Sequence, residues 1–207
     1  VIETENLTFP EAVERLASAA GMEVPRWSPE EVQREKQRGG LLEAVEAATV
    51  WYEQRLRGPE GKVALDYFTA RGLDSEIIAK FRLGYAPPVS RGEASRLSAD
   101  LQRQGFEAKT LLEAGLLTAP DDGRAPYDFF RGRAMFPIAD GRGRVIAFGG
   151  RVLGDGEPKY LNPRDTPLFD KRRTLYNLGL AREASRDASE GLVNSTSIRP
   201  CSTKSPS

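Results

Sequence analysis

Apolar residues in the first half of the chain recur at the spacing of α-helices. The densest stripe predicts a core-facing helix from Leu41 to Leu56, because its members fall on one face of a 3.6-residue repeat. The members of this stripe are Leu41, Leu42, Val45, Ala48, Tyr52 and Leu56, with Trp51 beside them. Shorter patterns predict further helices over residues 62–70, 74–81, 93–103 and 108–114. The helix that Asp74 is expected to cap should bury Ile77, Ile78 and Phe81.

The N-terminal residues carry a separate helical pattern. Thr8-Phe9-Pro10-Glu11 has the form of a capping box, and the helix that it predicts ends at Gly21. Residues 25–40 contain few large apolar side chains and are interpreted as a linker. Ser28-Pro29-Glu30-Glu31 could begin a short solvated helix within this linker, and Gly39-Gly40 is expected to end it.

Short apolar runs typical of strands replace the helical pattern after residue 130. Ala134–Ile138 and Arg144–Phe148 are predicted to form a hairpin around the turn-forming run Asp140-Gly141-Arg142-Gly143. Pro137 cannot donate a backbone hydrogen bond, so its strand should lie at a sheet edge or be bulged there. Residues 116–118 and 159–161 are candidate short partners. Helices followed by a small antiparallel sheet predict an α+β fold.

Composition excludes several classes of function. The 207 residues are 39% hydrophobic and 29% charged, and no apolar run approaches the roughly 20 residues of a membrane-spanning helix. The chain has no histidine and a single cysteine, Cys201, which excludes an internal disulfide, a Cys/His zinc site and a Ser-His-Asp triad. The lack of a P-loop or dinucleotide fingerprint disfavours a small-molecule phosphate-binding enzyme. The cysteine content and the lack of a signal-peptide pattern predict a cytoplasmic protein.

Charge is unevenly distributed along the chain. Thirty basic and thirty acidic residues cancel, yet residues 124–173 contain eleven basic and six acidic residues, a net charge of +5. The planar fork of arginine suits phosphate oxygens, so several of these residues on one sheet face would bind a polyanion. The alternative is that the arginines are solvated around a hairpin and that Gly149-Gly150 is only a bulge or turn. Taken alone, the residues predict a basic α+β domain and no particular reaction.

Residues 127–182 resemble the signature of the bacterial DnaG-type DNA primase core, with the sequence YDFFRGRAMFPIADGRGRVIAFGGRVLGDGEPKYLNPRDTPLFDKRRTLYNLGLAR. Residues 67–88, YFTARGLDSEIIAKFRLGYAPP, are similar to the segment that precedes this signature in the family. The resemblance implies four parts. They are the end of a zinc-binding domain (1–24), the linker (25–40), the N-terminal subdomain of the RNA-polymerase core (41–186) and a disordered tail that could be non-native (187–207).

A basic cluster on this subdomain guides the DNA template and contacts incoming nucleotides in the family. The resemblance implies the same role for five positions here, which are Lys80, Arg133, Arg151, Lys159 and Lys171. Lys80 stands where an arginine is more usual, so its assignment departs from the family pattern.

The resemblance further implies that the parent protein synthesises short RNA primers on single-stranded DNA at the replication fork, from ribonucleoside triphosphates. A replicative helicase would contact it through a domain beyond this chain. Catalysis would use Mg²⁺ held by Toprim carboxylates that include an Asp-x-Asp motif, and a zinc ribbon would hold Zn²⁺. The chain contains no Asp-x-Asp and no Cys/His set. We therefore expect this segment to contain no catalytic or metal-binding residue and to be inactive alone. A stand-alone module that binds single-stranded nucleic acid without catalysis is the alternative.

Overall fold

A computed structural model describes residues 15–21, 28–89 and 96–188. The chain divides into two compact units, residues 1–39 and residues 40–207. Its elements are α1 (Pro29–Arg57), a 3₁₀ turn (Pro59–Gly61), α2 (Lys62–Thr69), α3 (Ser75–Lys80), β1 (Gly84–Ala86), α4 (Arg96–Arg103), α5 (Ala108–Glu113), β2 (Leu117–Thr118), β3 (Tyr127–Asp128), β4 (Arg133–Ala139), β5 (Val145–Val152), β6 (Tyr160–Leu161) and α6 (Leu178–Ala188). This order confirms the predicted α+β class. No helix in the described ranges is long and apolar enough to cross a membrane.

The described part of the first unit confirms one predicted helix end. Residues 15–19 are helical, and Gly21 follows with a φ of +68°, the left-handed conformation that glycine adopts most readily. The predicted capping box at Thr8–Glu11 lies outside the described residues.

Helix α1 begins as the sequence predicts and then departs from the prediction. The backbone nitrogen of Ser28 donates to Glu31 Oε2 (2.7 Å), and that of Glu31 donates to Ser28 Oγ (3.2 Å), which is a reciprocal capping box. The helix does not end at Gly39-Gly40 but runs on to Arg57, so the short helix expected within residues 25–40 and the helix predicted from Leu41 form one element. Neither glycine has a positive φ. The packing of residues 41–56 outweighs the poor helix propensity of two glycines.

Replacing both glycines by alanine should stabilise α1. A Cβ atom at Gly39 or Gly40 would meet no atom within 4 Å, and each Gly→Ala change in a helix interior is worth about 0.5–1 kcal/mol. We expect the double variant to show slower amide hydrogen exchange across residues 33–45 and an unchanged core. Unchanged or faster exchange there would contradict a continuous helix.

The main sheet has the order β1-β4-β5-β6 and is antiparallel throughout. β1 pairs only with residues 133–135, so Pro137 lies where β4 has a single neighbour, with a register shift at Ile138/Ala139. This arrangement confirms the edge position predicted for Pro137. The candidate partner at residues 116–118 does not join this sheet, because β2 pairs with β3 in a separate ribbon.

Two apolar clusters hold the helices against the sheet. One contains the α1 stripe as far as Tyr52, with Met135 and Phe148, whereas Leu56 belongs to the second cluster. Leu42 is the only member of the predicted stripe that is half-buried. The second cluster joins Ala64 and Phe68 of α2 to Ala134 and Phe136 of β4. Helix α3 is capped by Asp74, which accepts from the Ile77 nitrogen at 2.8 Å as predicted. Its apolar residues Ile77, Ile78 and Phe81 are half-buried rather than buried, since α3 lies at the margin of this cluster.

The C-terminal helix α6 is not among the helices that the sequence predicts. It includes residues 187 and 188, which the sequence assigns to the disordered tail. The remaining residues of that tail, 189–207, lie outside the described part of the chain.

The two glycines at positions 149 and 150 have different roles. A Cβ atom on Gly150 would lie 2.7 Å from Phe130 Cδ1 and 3.0 Å from Arg133 Cδ, whereas one on Gly149 would meet only the Phe136 carbonyl oxygen at 4.0 Å. Gly150 is therefore required by close packing, and Gly149 is not.

Gly150→Ala should lower the free energy of unfolding by about 1–3 kcal/mol, as overpacking of a filled core does. Gly149→Ala should change it by less than about 0.5 kcal/mol and is the matched control. Urea denaturation of the two variants measures the difference. Equal effects would mean that the Phe130–Arg133 contact does not constrain position 150.

Candidate nucleic-acid interface

Arg151 lies near the end of β5, between two tyrosine rings. Its guanidinium carbon is 4.9 Å from the ring centroid of Tyr160 and 5.2 Å from that of Tyr67, and Nη1 donates to the Tyr160 hydroxyl. Tyr160 faces Arg151 across the β5–β6 pair, while Tyr67 belongs to α2. Arg151 has no carboxylate within ion-pairing distance among the described residues. The rings hold a positive charge at the protein surface without neutralising it.

Arg133 has a structural position that the sequence did not indicate. Its residue is only 6% exposed, and Nη1 donates to the carbonyl oxygens of Pro158 (2.9 Å) and Gly150 (3.4 Å). Burial lowers the pKa of its guanidinium from the ordinary value. Arg133 therefore ties the segment before β6 to the sheet through Pro158, and Lys159 is the residue that follows Pro158.

Lys159 and Lys171 are both exposed, but their surroundings differ. Lys159 precedes β6 and has no ion-pair partner in the described ranges. The Nζ of Lys171 lies 3.9 Å from Asp165 Oδ2, and the Lys171 backbone nitrogen donates to Asp165 Oδ1 at 3.1 Å. Lys171 is therefore partly compensated, whereas Lys159 is not.

Lys80 lines a cavity of about 340 Å³ at the far end of the β4–β5 hairpin. The other cations of the lining are Arg82, Arg142 and Arg182, and none of the other four predicted site residues belongs to it. Arg82 is neutralised, because it donates to both oxygens of Glu46 (2.8 and 2.9 Å) and to Glu53 (3.1 Å). These hydrogen bonds, foremost those to Glu46, raise the pKa of Arg82 above its usual value.

Asp140 also lines this cavity, but its negative charge is compensated by Arg144 and by two backbone N–H groups. Its Oδ2 accepts from Arg144 Nη2 (2.8 Å) and Nε (3.0 Å), and its Oδ1 accepts from the backbone nitrogens of Arg142 (2.9 Å) and Arg144 (3.0 Å). Lys80, Arg142 and Arg182 consequently face the cavity with no ion pair among the described residues. Such a set of cations is suited to an anionic ligand.

The predicted site residues thus fall into separate groups. The β5–β6 group contains Arg151 and Lys159, supported from beneath by Arg133, and the hairpin-end group contains Lys80. The sequence analysis missed Arg142 and Arg182, which join Lys80, and Tyr67 and Tyr160, which flank Arg151. Tyr160 could have been noticed beside Lys159, but no sequence signal connects Tyr67 to Arg151, 84 positions away.

Two other arginines of the basic segment are neutralised by carboxylates. Arg124 pairs with Asp122 (2.7 Å) and Arg144 with Asp140 (2.8 Å), whereas Arg131 and Arg164 lie over the rings of Tyr127 (4.6 Å) and Phe129 (4.9 Å) and keep their charge. The count of eleven basic residues therefore overstates the number of cations that are available to a ligand.

No group of three or more metal-ligating side chains exists in the described parts of the chain. The expectation that this segment lacks catalytic carboxylates stays a prediction.

Comparison with known proteins agrees with the resemblance. Residues 51–182 match the family described as the DNA primase catalytic core, N-terminal domain. A DNA primase of Pseudomonas putida is 47% identical over 196 residues, which cover 93% of this chain and 29% of that protein. The chain thus spans less than a third of the length of this relative.

Solved structures lead to the same family. The DnaG primase catalytic domain bound to single-stranded DNA is 41% identical with a TM-score of 0.63, and the alignment covers 73% of this chain and 46% of that one. The zinc-binding and RNA polymerase domains of Aquifex aeolicus primase are 30% identical with a TM-score of 0.60, covering 90% of this chain and 43% of that one. The chain belongs to the family of N-terminal domains of the DNA primase catalytic core.

Asp140 lies in the β4–β5 turn, which lines one side of the cavity, and its charge should make the stability of this turn depend on pH. Burial by itself raises the pKa of Asp140, but the hydrogen bonds from the Arg144 side chain and from two backbone nitrogens outweigh it, so the pKa is lowered overall. A lowered carboxyl pKa contributes stability above the unfolded-state value of about 3.9, and this stability is lost as pH falls through the folded-state value. Asp140→Asn should therefore be less stable than the unsubstituted chain at pH 7, with the difference shrinking below about pH 4. A difference that does not change with pH, measured by denaturation, would contradict this charge assignment.

Proposed function

We propose that this segment is the template- and nucleotide-guiding part of a DNA primase, the DNA-directed RNA polymerase that makes RNA primers on single-stranded DNA. The observation that carries the proposal is Arg151, which no carboxylate among the described residues compensates and which the rings of Tyr67 and Tyr160 contact beside the exposed Lys159. An arginine fixed in place loses less entropy when it binds a phosphate, and its charge is not spent on a carboxylate.

The five residues would contribute in different ways. Arg151 and Lys159 would bind template phosphates, and Arg133 would position Lys159 through the Pro158 carbonyl. Lys80, with Arg142 and Arg182, would bind the phosphates of an incoming ribonucleoside triphosphate in the hairpin-end cavity. Lys171, partly compensated by Asp165, would add long-range attraction at the rim.

Metal chemistry would reside in other residues of the whole primase. Mg²⁺ requires several carboxylate or water oxygens, and structural Zn²⁺ requires four Cys or His ligands. The described residues supply neither set, so their own contribution is to bind and to orient. We expect the segment alone to be catalytically silent.

The parent protein would act in replication at the fork, in the cytoplasm, with a replicative helicase bound to a domain outside this chain. A stand-alone binding module is not favoured, because the relatives that match 91–93% of the chain are DNA primases.

The chain should bind single-stranded DNA more weakly as salt rises, since each phosphate that a cation binds releases condensed counterions. Arg151→Ala/Lys159→Ala should lower the affinity and reduce the slope of log K against log salt by about 0.7 for each phosphate that the variant no longer binds. Fluorescence anisotropy with a labelled oligodeoxythymidine measures both quantities. In the complete primase the same double variant should lower primer synthesis while the domain stays folded.

Lys109→Ala/Arg124→Ala is the matched control, since it also removes one lysine and one arginine. Both side chains are exposed and already paired, with Glu113 and Asp122. Equal reductions of affinity in the two double variants would mean that net charge, and not the position of Arg151 and Lys159, explains the loss of binding. No binding by the unsubstituted chain at low salt would overturn the proposed function.

A further inference from the structure

Helix α2 brings a second arginine to the ring that supports Arg151. Arg71 lies just after α2 and four positions from Tyr67, and its guanidinium carbon is 4.6 Å from the Tyr67 ring centroid. Arg151 lies over the same ring at 5.2 Å. These two distances limit the separation of the guanidinium carbons to at most about 10 Å. One tyrosine therefore holds two arginines from distant parts of the sequence close together.

The pair has no counter-charge within the described residues. Neither Arg71 nor Arg151 has a carboxylate within 4.0 Å there, unlike other arginines of the domain such as Arg55 with Asp100 at 3.0 Å and Arg82 with Glu46 at 2.8 Å. Like charges held near each other repel, and the ring attraction offsets this only in part. An anion bound between the two guanidinium groups would remove the repulsion and form charge-assisted hydrogen bonds with both.

We infer that Arg71 is a further phosphate-binding residue and that Tyr67 is the positioning residue that holds Arg71 and Arg151 ready for the backbone of a single-stranded nucleic acid. This inference rests on the proposed function, and it extends the interface from the sheet onto α2. The ligand is a phosphodiester chain, because two cations held within about 10 Å of each other match the repeated negative charges of a nucleic-acid backbone. Tyr67 is half-buried and its ring already contacts both guanidinium groups, so its role is to fix them rather than to stack on a base.

The contact between Arg71 and Tyr67 could instead serve only the stability of the fold. A cation after the last turn of α2 interacts favourably with the helix dipole, so Arg71 could serve stability alone. In that case Arg71→Ala would destabilise the fold slightly and leave the salt dependence of DNA binding unchanged. The number of phosphate contacts, read from the salt slope, separates the two roles.

The experiment titrates the 207-residue chain and its variants against labelled oligodeoxythymidine over a range of NaCl concentrations. Arg71→Ala should weaken binding at low salt by roughly threefold to tenfold and lower the salt slope by about 0.7, the value for one single-strand phosphate. Tyr67→Phe, which keeps the ring, should bind nearly as well as the unsubstituted chain. Tyr67→Leu, which removes the ring, should weaken binding about as much as Arg71→Ala. In the double variant Arg71→Ala/Tyr67→Leu, the loss of affinity should be smaller than the product of the two separate losses.

Arg57→Ala is the matched control, because Arg57 is an exposed arginine at the end of α1 with no carboxylate partner in the described ranges. A slope change in Arg57→Ala equal to that in Arg71→Ala would overturn the inference, since net charge would then explain both. Full binding by Arg71→Ala, alongside weakened binding by Arg151→Ala/Lys159→Ala, would overturn the inference and leave the proposed function standing. Circular dichroism tests whether Tyr67→Leu is folded. If this variant does not fold, the binding of Arg71→Ala alone tests the inference.

Discussion

The arrangement of the domain depends on how closely α1 approaches the sheet at Gly84. A Cβ atom at that position would lie 2.6 Å from the Tyr52 Cβ, closer than side chains can come. Without a side chain at Gly84, the Tyr52 ring can pack edge-on against Trp51 and Phe148, with centroid distances of 5.4 and 5.2 Å. This contact occupies one sheet face with α1 and leaves the other to α2, whose Phe68 meets Phe136 at 5.7 Å.

The candidate interface follows from that division of the sheet. Helix α2 packs on the sheet through Ala64 and Phe68. Tyr67, which precedes Phe68, contacts Arg151 near the end of β5. On the opposite face the aliphatic part of Arg133 fills the space that Gly150 leaves, and its head group binds backbone carbonyls. The sheet therefore separates two arginines that neighbour each other on adjacent strands. Arg151 is half-buried at the surface, where its Nη1 contacts the exposed Tyr160, and Arg133 is buried and supports the strand end.

Much of this could be predicted from the chain, and particular residues show where prediction stopped. The periodicity of residues 41–56, the Asp74 cap and the edge position of Pro137 are local properties, and the structure confirms each of them. The continuation of α1 through Gly39-Gly40 is not local, because helix propensity opposed it and packing further along the helix decided it. The separate β2–β3 ribbon was missed for a related reason, since residues 117–118 could equally have joined the main sheet.

The sequence by itself determined most of the helices, the β4–β5 hairpin, the basic character of residues 124–173 and, through the resemblance, the family, because these depend on residue types and their spacing. Only the tertiary structure decided which cations are available. Pairing of Arg82 with Glu46, burial of Arg133 and the placement of Arg71 and Arg151 on one tyrosine all depend on residues that are far apart in the chain. Charge is carried by individual residues, but whether it is neutralised is a property of distances in the folded chain, which spacing along the sequence does not specify.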